Sequence, residues 1–190
     1  TQDMRDAIRE KFKRDNNLDY ADNQVMVSAG GKQIVYNALM STVDPGDEVI
    51  VTAPYWVSYP EMTQFAEGVP VVIECGDNSN FKLTPEQLAA AITPKTRWLV
   101  LNSPNNPSGA VCKNLEKLAK VAKKYKLIVL SDEIYTDLTF EKNYNSISRY
   151  YPQLTFITGG LSKWCGAGGW RLGFLAVPKK LKDFLKSLKS

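Results

Sequence analysis

The sequence predicts an α/β domain of three layers, with helices on both faces of a mainly parallel sheet of seven strands. Three observations carry this expectation. Short β-rich apolar runs alternate with longer mixed segments along the chain. Two of the runs, Trp98-Leu99-Val100-Leu101 and Leu127-Ile128-Val129-Leu130, are apolar throughout, the pattern of strands covered on both faces. The composition, 190 residues with 44% apolar and 23% charged, suits one globular domain and rules out intrinsic disorder.

The chain opens with Met4, Ala7, Ile8 and Phe12 at helical spacing among charges, which predicts an amphipathic helix ending at Asn16 and Asn17. Strands are expected over 24–29, 48–52, 69–74, 97–102, 127–131, 155–158 and 172–177. After the first of them, Ile34, Val35, Ala38 and Leu39 mark the apolar face of a covering helix. Thr84-Pro85-Glu86-Gln87 reads as a helix start, with a capping hydroxyl and a proline in the first turn. A further helix follows Asn114, carrying Leu115, Leu118, Val121 and Ala122 on one face. The connection from 158 to 172 is too glycine-rich for a full helix, so the last strand is expected to run antiparallel. At the end, Leu181, Phe184, Leu185 and Leu188 begin an apolar stripe expected to pack on something further along, its flanking lysines forming the solvated face. No repeat, low-complexity tract or linker divides the chain, so residues 1–190 count as one domain.

Composition also excludes several functions. The net charge of +4 is weak and the lysines are scattered except for Lys179, Lys180, Lys182, Lys186 and Lys189, so no basic stripe argues for nucleic acid. No apolar run reaches the roughly 18–20 residues of a membrane-spanning helix, and no membrane partner is expected. The three cysteines, Cys75, Cys112 and Cys165, lack CxxC spacing and fit a reducing, cytoplasmic compartment better than a disulfide framework. Histidine is absent, which removes Ser-His and Cys-His hydrolases and most zinc sites; no metal is expected. Lysine, carboxylates and tyrosine remain for proton transfer.

The functional candidates lie where the expected strands end, the place where open parallel sheets put their ligands. Gly30, Gly31 and Lys32 follow the first strand and run into a helix, so backbone N–H groups and the helix dipole could meet a phosphate there. The same glycines also serve plain turn chemistry, and neither GxGxxG nor GxxxxGK[ST] is present. After the second strand, Ala53-Pro54-Tyr55-Trp56-Val57-Ser58-Tyr59-Pro60 offers Trp56 either to a planar ligand or to the core. Asn102-Ser103-Pro104-Asn105-Asn106-Pro107-Ser108-Gly109 fixes an amide at a strand mouth. In Ser131-Asp132-Glu133-Ile134-Tyr135, Asp132 ends a buried strand and needs a partner, or caps a helix, and Tyr135 follows one turn later.

The last motif is Gly160-Leu161-Ser162-Lys163-Trp164-Cys165-Gly166-Ala167-Gly168-Gly169-Trp170-Arg171-Leu172-Gly173, a lysine after one strand and an arginine before the next. It resembles the Schiff-base lysine signature of class-I aminotransferases, fold-type-I enzymes dependent on pyridoxal 5′-phosphate (PLP). Gly-Gly-Lys-Gln, Ala-Pro-Tyr-Trp, Asn-Pro-Ser-Gly and Ser-Asp-Glu-Ile-Tyr are similar to the family's other motifs, in the same order.

The resemblance implies a role for each position. Lys163 would hold PLP as a Schiff base and then move a proton, Asp132 would face the pyridine nitrogen, and Tyr135 and Asn106 would bond the 3′-oxygen. Trp56 would stack on the ring, with its indole N–H, like Asn106, near the substrate. Arg171 would pair with the phosphate, together with the N–H groups of Gly30, Gly31 and Lys32. Many relatives carry Ser at the third position before the lysine, where this chain has Gly160, with Ser162 as a substitute for that hydroxyl. The implied activity is amino transfer between an L-amino acid and a 2-oxo acid, aspartate-aminotransferase-like, in an enzyme that is a homodimer when complete. Residues 1–190 would be the PLP-binding large domain, with an N-terminal segment and a small domain outside them, and alone weakly active. A PLP-binding regulatory domain and another fold-type-I lyase remain as alternatives.

Overall fold

The computed structural model describes residues 1–140, 144–178 and 181. Helix α1 (Gln2–Asn16) leads into strand β1 (Val25–Ala29), and α2 (Gly31–Met40) carries the chain to β2 (Glu48–Ala53). Then come α3 (Ser58–Phe65), β3 (Val69–Glu74), α4 (Pro85–Ala91), β4 (Thr96–Asn102) and α5 (Leu115–Lys124). Strands β5 (Ile128–Asp132), β6 (Thr155–Gly160) and β7 (Leu172–Ala176) complete a seven-stranded sheet in the order β1-β7-β6-β5-β4-β2-β3. Only β7 runs against the others, pairing antiparallel with β1 and β6. That reversal follows from the short connection before it, which holds a single 3-10 turn, Gly168–Trp170, in place of a crossover helix.

Alternation along the central strands sorts their side chains between two cores. Val49, Val51, Trp98, Val100, Leu130 and Phe156 pack under α2 and α3, against Ile34, Leu39, Tyr59 and Met62. Ile50, Leu99, Leu101 and Val129 face α4 and α5 through Leu88, Leu115, Leu118 and Ala122. Beside this second layer, α1 lays Ile8 and Phe12 on Val25, Ile157, Phe174 and Ala176. The all-apolar runs are therefore strands buried on both faces. Thr84 caps α4 as its sequence suggests, accepting from the Gln87 N–H at 3.2 Å while the Gln87 side chain accepts from the Thr84 N–H at 3.1 Å. Of the terminal apolar stripe, Leu181 packs against the α2/α3 core; Phe184, Leu185 and Leu188 lie outside the described residues.

The strand ends differ from expectation at two informative places. β5 includes Asp132, and β6 runs on through Gly159 and Gly160. Those glycines are strand residues because their neighbours fill the space of a side chain. A Cβ on Gly159 would come 2.7 Å from the Phe174 ring, and one on Gly160 would come 2.7 Å from the Leu172 carbonyl oxygen.

Candidate active site

A polar row crosses the carboxyl ends of the central strands. Register places Asn102 of β4 beside Asp132 of β5, and Asp132 beside Thr158 of β6. Neighbours in register share a face, here the one under α2 and α3. Asp132 is buried, and Tyr59 of α3 donates its hydroxyl to Asp132 Oδ2 at 2.6 Å. The Ile134 N–H meets Oδ1 at 3.2 Å. Burial pushes the Asp132 carboxyl up, while these two hydrogen bonds pull it down. The Tyr59 phenol is itself raised well above its ordinary value, first by burial and then by the Asp132 charge, so it remains a donor.

The Asn-Pro-rich turn is tied to this row. Asn102 donates through Nδ2 to the Asp132 carbonyl at 3.1 Å and accepts from the Asn106 N–H at 2.7 Å. Asn106 Nδ2 in turn donates to the Tyr135 hydroxyl at 3.2 Å. Lys163 follows β6, with Nζ 5.7 Å from the centroid of the Tyr135 ring. Trp56 stands edge-on to Tyr59, centroids 5.2 Å apart, and Lys32 Nζ lies 4.9 Å from the Trp56 centroid.

The start of α2 is shaped by absent side chains. Gly30 has φ +88°, and a Cβ there would stand 2.4 Å from Arg171 Nη2. Glycine at this position lets the guanidinium come against the first turn. Arg171 takes a left-handed φ of 52°, reached through the Gly168–Trp170 turn, whose Gly168 carbonyl accepts from Arg171 Nη1 at 3.1 Å. Gly173 is equally confined, since a Cβ there would meet Gly30 C at 2.4 Å and Gly31 N at 2.6 Å.

One cleft gathers these groups. Gly31, Lys32, Trp56, Asn106, Asp132, Tyr135, Lys163 and Arg171 all line it, and Gly30 stands against Arg171 at its edge. Gly160 cannot carry a hydroxyl there, because the Leu172 carbonyl occupies the place of its Cβ; Ser162 does border the cleft. Tyr59, Asn102, Ile134 and Thr158 line it as well. The first two sit in motifs visible in the sequence, but Tyr59 meets its partner 73 positions away and Asn102 meets its partner 30 away, so their function depends on the fold. Thr158 gave no signal beyond ending an apolar run.

Sheet, helix start and cleft define an α/β domain with a candidate ligand site at the strand carboxyl ends. The family model for aminotransferase class I and II matches residues 1–190, and the chain belongs to that family. Over 185 residues it is 45% identical to a protein of Rickettsia typhi named probable aspartate/prephenate aminotransferase, covering 94% of this chain and 46% of that one. It is 44% identical to the aspartate/prephenate aminotransferase of Cereibacter sphaeroides, covering 99% of this chain and 49% of that one. Aspartate aminotransferase from Thermus thermophilus with maleate superposes with a TM-score of 0.94 at 43% identity, over 98% of this chain and 50% of that one. The chain thus spans about half the length of the relatives it matches. No described helix is long and apolar enough to cross a membrane.

Proposed function

We propose that this chain is the cofactor-binding part of an aminotransferase that moves an amino group between an L-amino acid and a 2-oxo acid, using PLP. The observation that carries the reading is the convergence on one cleft of the amine of Lys163, the buried carboxyl of Asp132 and an anion-binding corner made by Arg171 and the start of α2. The donor set fits PLP group by group: a free helix start and a guanidinium for a phosphate, a carboxylate for a pyridinium nitrogen, an amine for an aldehyde. When bound, that cofactor supplies an electron sink for the substrate Cα.

The chain's own residues do the rest. Asp132 would face the ring nitrogen, its carboxyl aimed by the Tyr59 hydroxyl and the Ile134 N–H. Asn106 and Tyr135, already bonded to each other, offer a paired contact to the 3′-oxygen. Trp56 would cover one ring face and, with Asn106, stand near the substrate. Gly30, Gly31, Lys32 and Arg171 take the phosphate, and Lys163 carries the proton at the substrate Cα. Relatives named aspartate/prephenate aminotransferase make aspartate and prephenate the first substrates to assay. The complete protein is read as a cytoplasmic homodimer, a reading supported by three cysteines without disulfides and by the exposed apolar Val57 and Phe65. Borohydride reduction of the PLP-loaded protein followed by peptide mapping tests the site. Pyridoxyl is expected on Lys163, and its appearance on Lys32 or elsewhere removes the assignment.

A further inference from the structure

Thr158 puts a buried hydroxyl, without a hydrogen-bond partner among the described residues, on the wall of the cleft. The residue is 1% exposed, its Oγ1 makes no hydrogen bond to any described residue, and it lines the same space as Asp132 and Arg171. The other two members of the polar row, Asn102 and Asp132, are satisfied. Asn102 bonds the Asp132 carbonyl and the Asn106 N–H, and Asp132 accepts from Tyr59 and Ile134. Buried hydroxyls are almost always paired, so an orphan beside a cleft needs a reason.

The direction of the hydroxyl supplies one. Thr158 Oγ1 lies 4.0 Å from the place a Cβ on Gly31 would take, so it faces the first turn of α2. That turn presents N–H donors with no intrahelical acceptor, and the Arg171 guanidinium stands against Gly30 beside it. Donors therefore meet across one corner, and Thr158 Oγ1 has no hydrogen-bond partner there among the described residues. Gly160, the next residue of β6 on the same face, cannot add a hydroxyl, because the Leu172 carbonyl fills its side-chain space.

We propose that Thr158 is a further cofactor-binding residue, donating its hydroxyl to an oxygen of the phosphate monoester held by the α2 amides and Arg171. This rests on the functional reading above. The test titrates the purified apo-chain with PLP and with pyridoxal, which lacks the phosphate, using wild type, Thr158→Val and Thr158→Ser. Loss of one hydrogen bond to a charged group weakens PLP binding by roughly ten- to a hundredfold in Thr158→Val. Pyridoxal binding is expected to be unchanged in that variant, and Thr158→Ser is expected to keep most of the PLP affinity. Thermal unfolding of apo Thr158→Val should match or exceed wild type, because no bond is lost in the empty protein. Equal PLP affinity in wild type and Thr158→Val overturns the proposal while leaving the functional reading intact. So does an equal loss for pyridoxal, which would turn the hydroxyl toward the ring. A Thr158→Val variant that unfolds also overturns it, by giving the hydroxyl a structural partner. A wild type that binds no PLP overturns both.

Discussion

In the proposed function, Tyr59 and Asp132 form the pair that serves the cofactor's ring nitrogen. The carboxyl sits in a buried row where desolvation favours its neutral form, and the 2.6 Å bond from the phenol opposes that push. Replacing Tyr59 with Phe removes the opposing bond and raises the Asp132 carboxyl further. Activity that needs the carboxylate is lost as pH falls through its pKa, so the acid limb of the pH–rate profile should move to higher pH in Tyr59→Phe. An unmoved limb would separate Tyr59 from the reaction. Asp132→Ala should fold and retain some PLP yet lose transamination by more than about a hundredfold in the complete enzyme, the scale of a missing proton-transfer aid. Near-wild-type turnover would contradict the role given to Asp132. At the other end of the cofactor, Arg171→Ala should weaken PLP affinity more than Trp56→Phe does. A charge-assisted contact is worth about 1.5–3 kcal/mol, whereas exchanging one stacking ring for another costs less. Titration of the two apo-variants gives the order directly, and the reverse order removes Arg171 from the phosphate corner.

Elements bring these residues together, and β7 has the tightest fit. Gly173 on β7 touches the backbone of Gly30 and Gly31, so the strand seats the start of α2 with no side chain between them. Gly173→Ala forces a methyl to within 2.4 Å of a backbone carbon, and the strand or the helix start must shift. Overpacking of this kind costs about 1–3 kcal/mol, and here it should weaken PLP binding along with stability. A variant with unchanged melting temperature and unchanged PLP affinity would show that the contact yields freely. The elements themselves were largely legible, because apolar runs such as Leu127-Ile128-Val129-Leu130 have few other uses. Gly159 and Gly160 were not, since glycine ordinarily punctuates a strand. Their place in β6 depends on Phe174 and Leu172 in a strand that comes later in the chain. For the same reason Thr158 is not legible as a cleft residue, and Asn102 is legible only as part of its motif: the row they make with Asp132 is a matter of register between strands, which local pattern does not encode.

At the scale of the whole molecule, the sequence yielded the fold class and most of the cleft but not the sheet order, nor the buried carboxyl that joins distant parts of the chain. Glu133 follows Asp132 but is engaged elsewhere. Its Oε1 accepts from Ser131 at 2.8 Å and from Ser146. Lys11 of α1, the phenols of Tyr20 and Tyr144, and Asp132 also act on it or feel its charge. In the sequence it looked like one more polar residue after a strand. Burial raises its carboxyl from 4.5 to about 7, against the pull of the two serines and Lys11. The consequence for stability has a definite sign. Between those two values the folded chain keeps a proton that the unfolded chain has lost, so stability falls as pH rises from about 4.5 through about 7. Partly exposed carboxylates such as Asp22 and Glu48 have lowered pKa values and act the opposite way, gaining stability with rising pH in a more acidic range. Comparison with Glu133→Gln isolates the buried group, because the amide is neutral at every pH and still accepts from Ser131 and Ser146. Urea unfolding of both proteins from about pH 5 to about pH 8 should show the wild type losing stability relative to the variant, by a ceiling of about 3 kcal/mol. Parallel curves across that range would mean that Glu133 ionises as readily in the folded chain as in the unfolded one, and the junction of α1, β5 and the Ser146 segment would then be wetter than its packing implies.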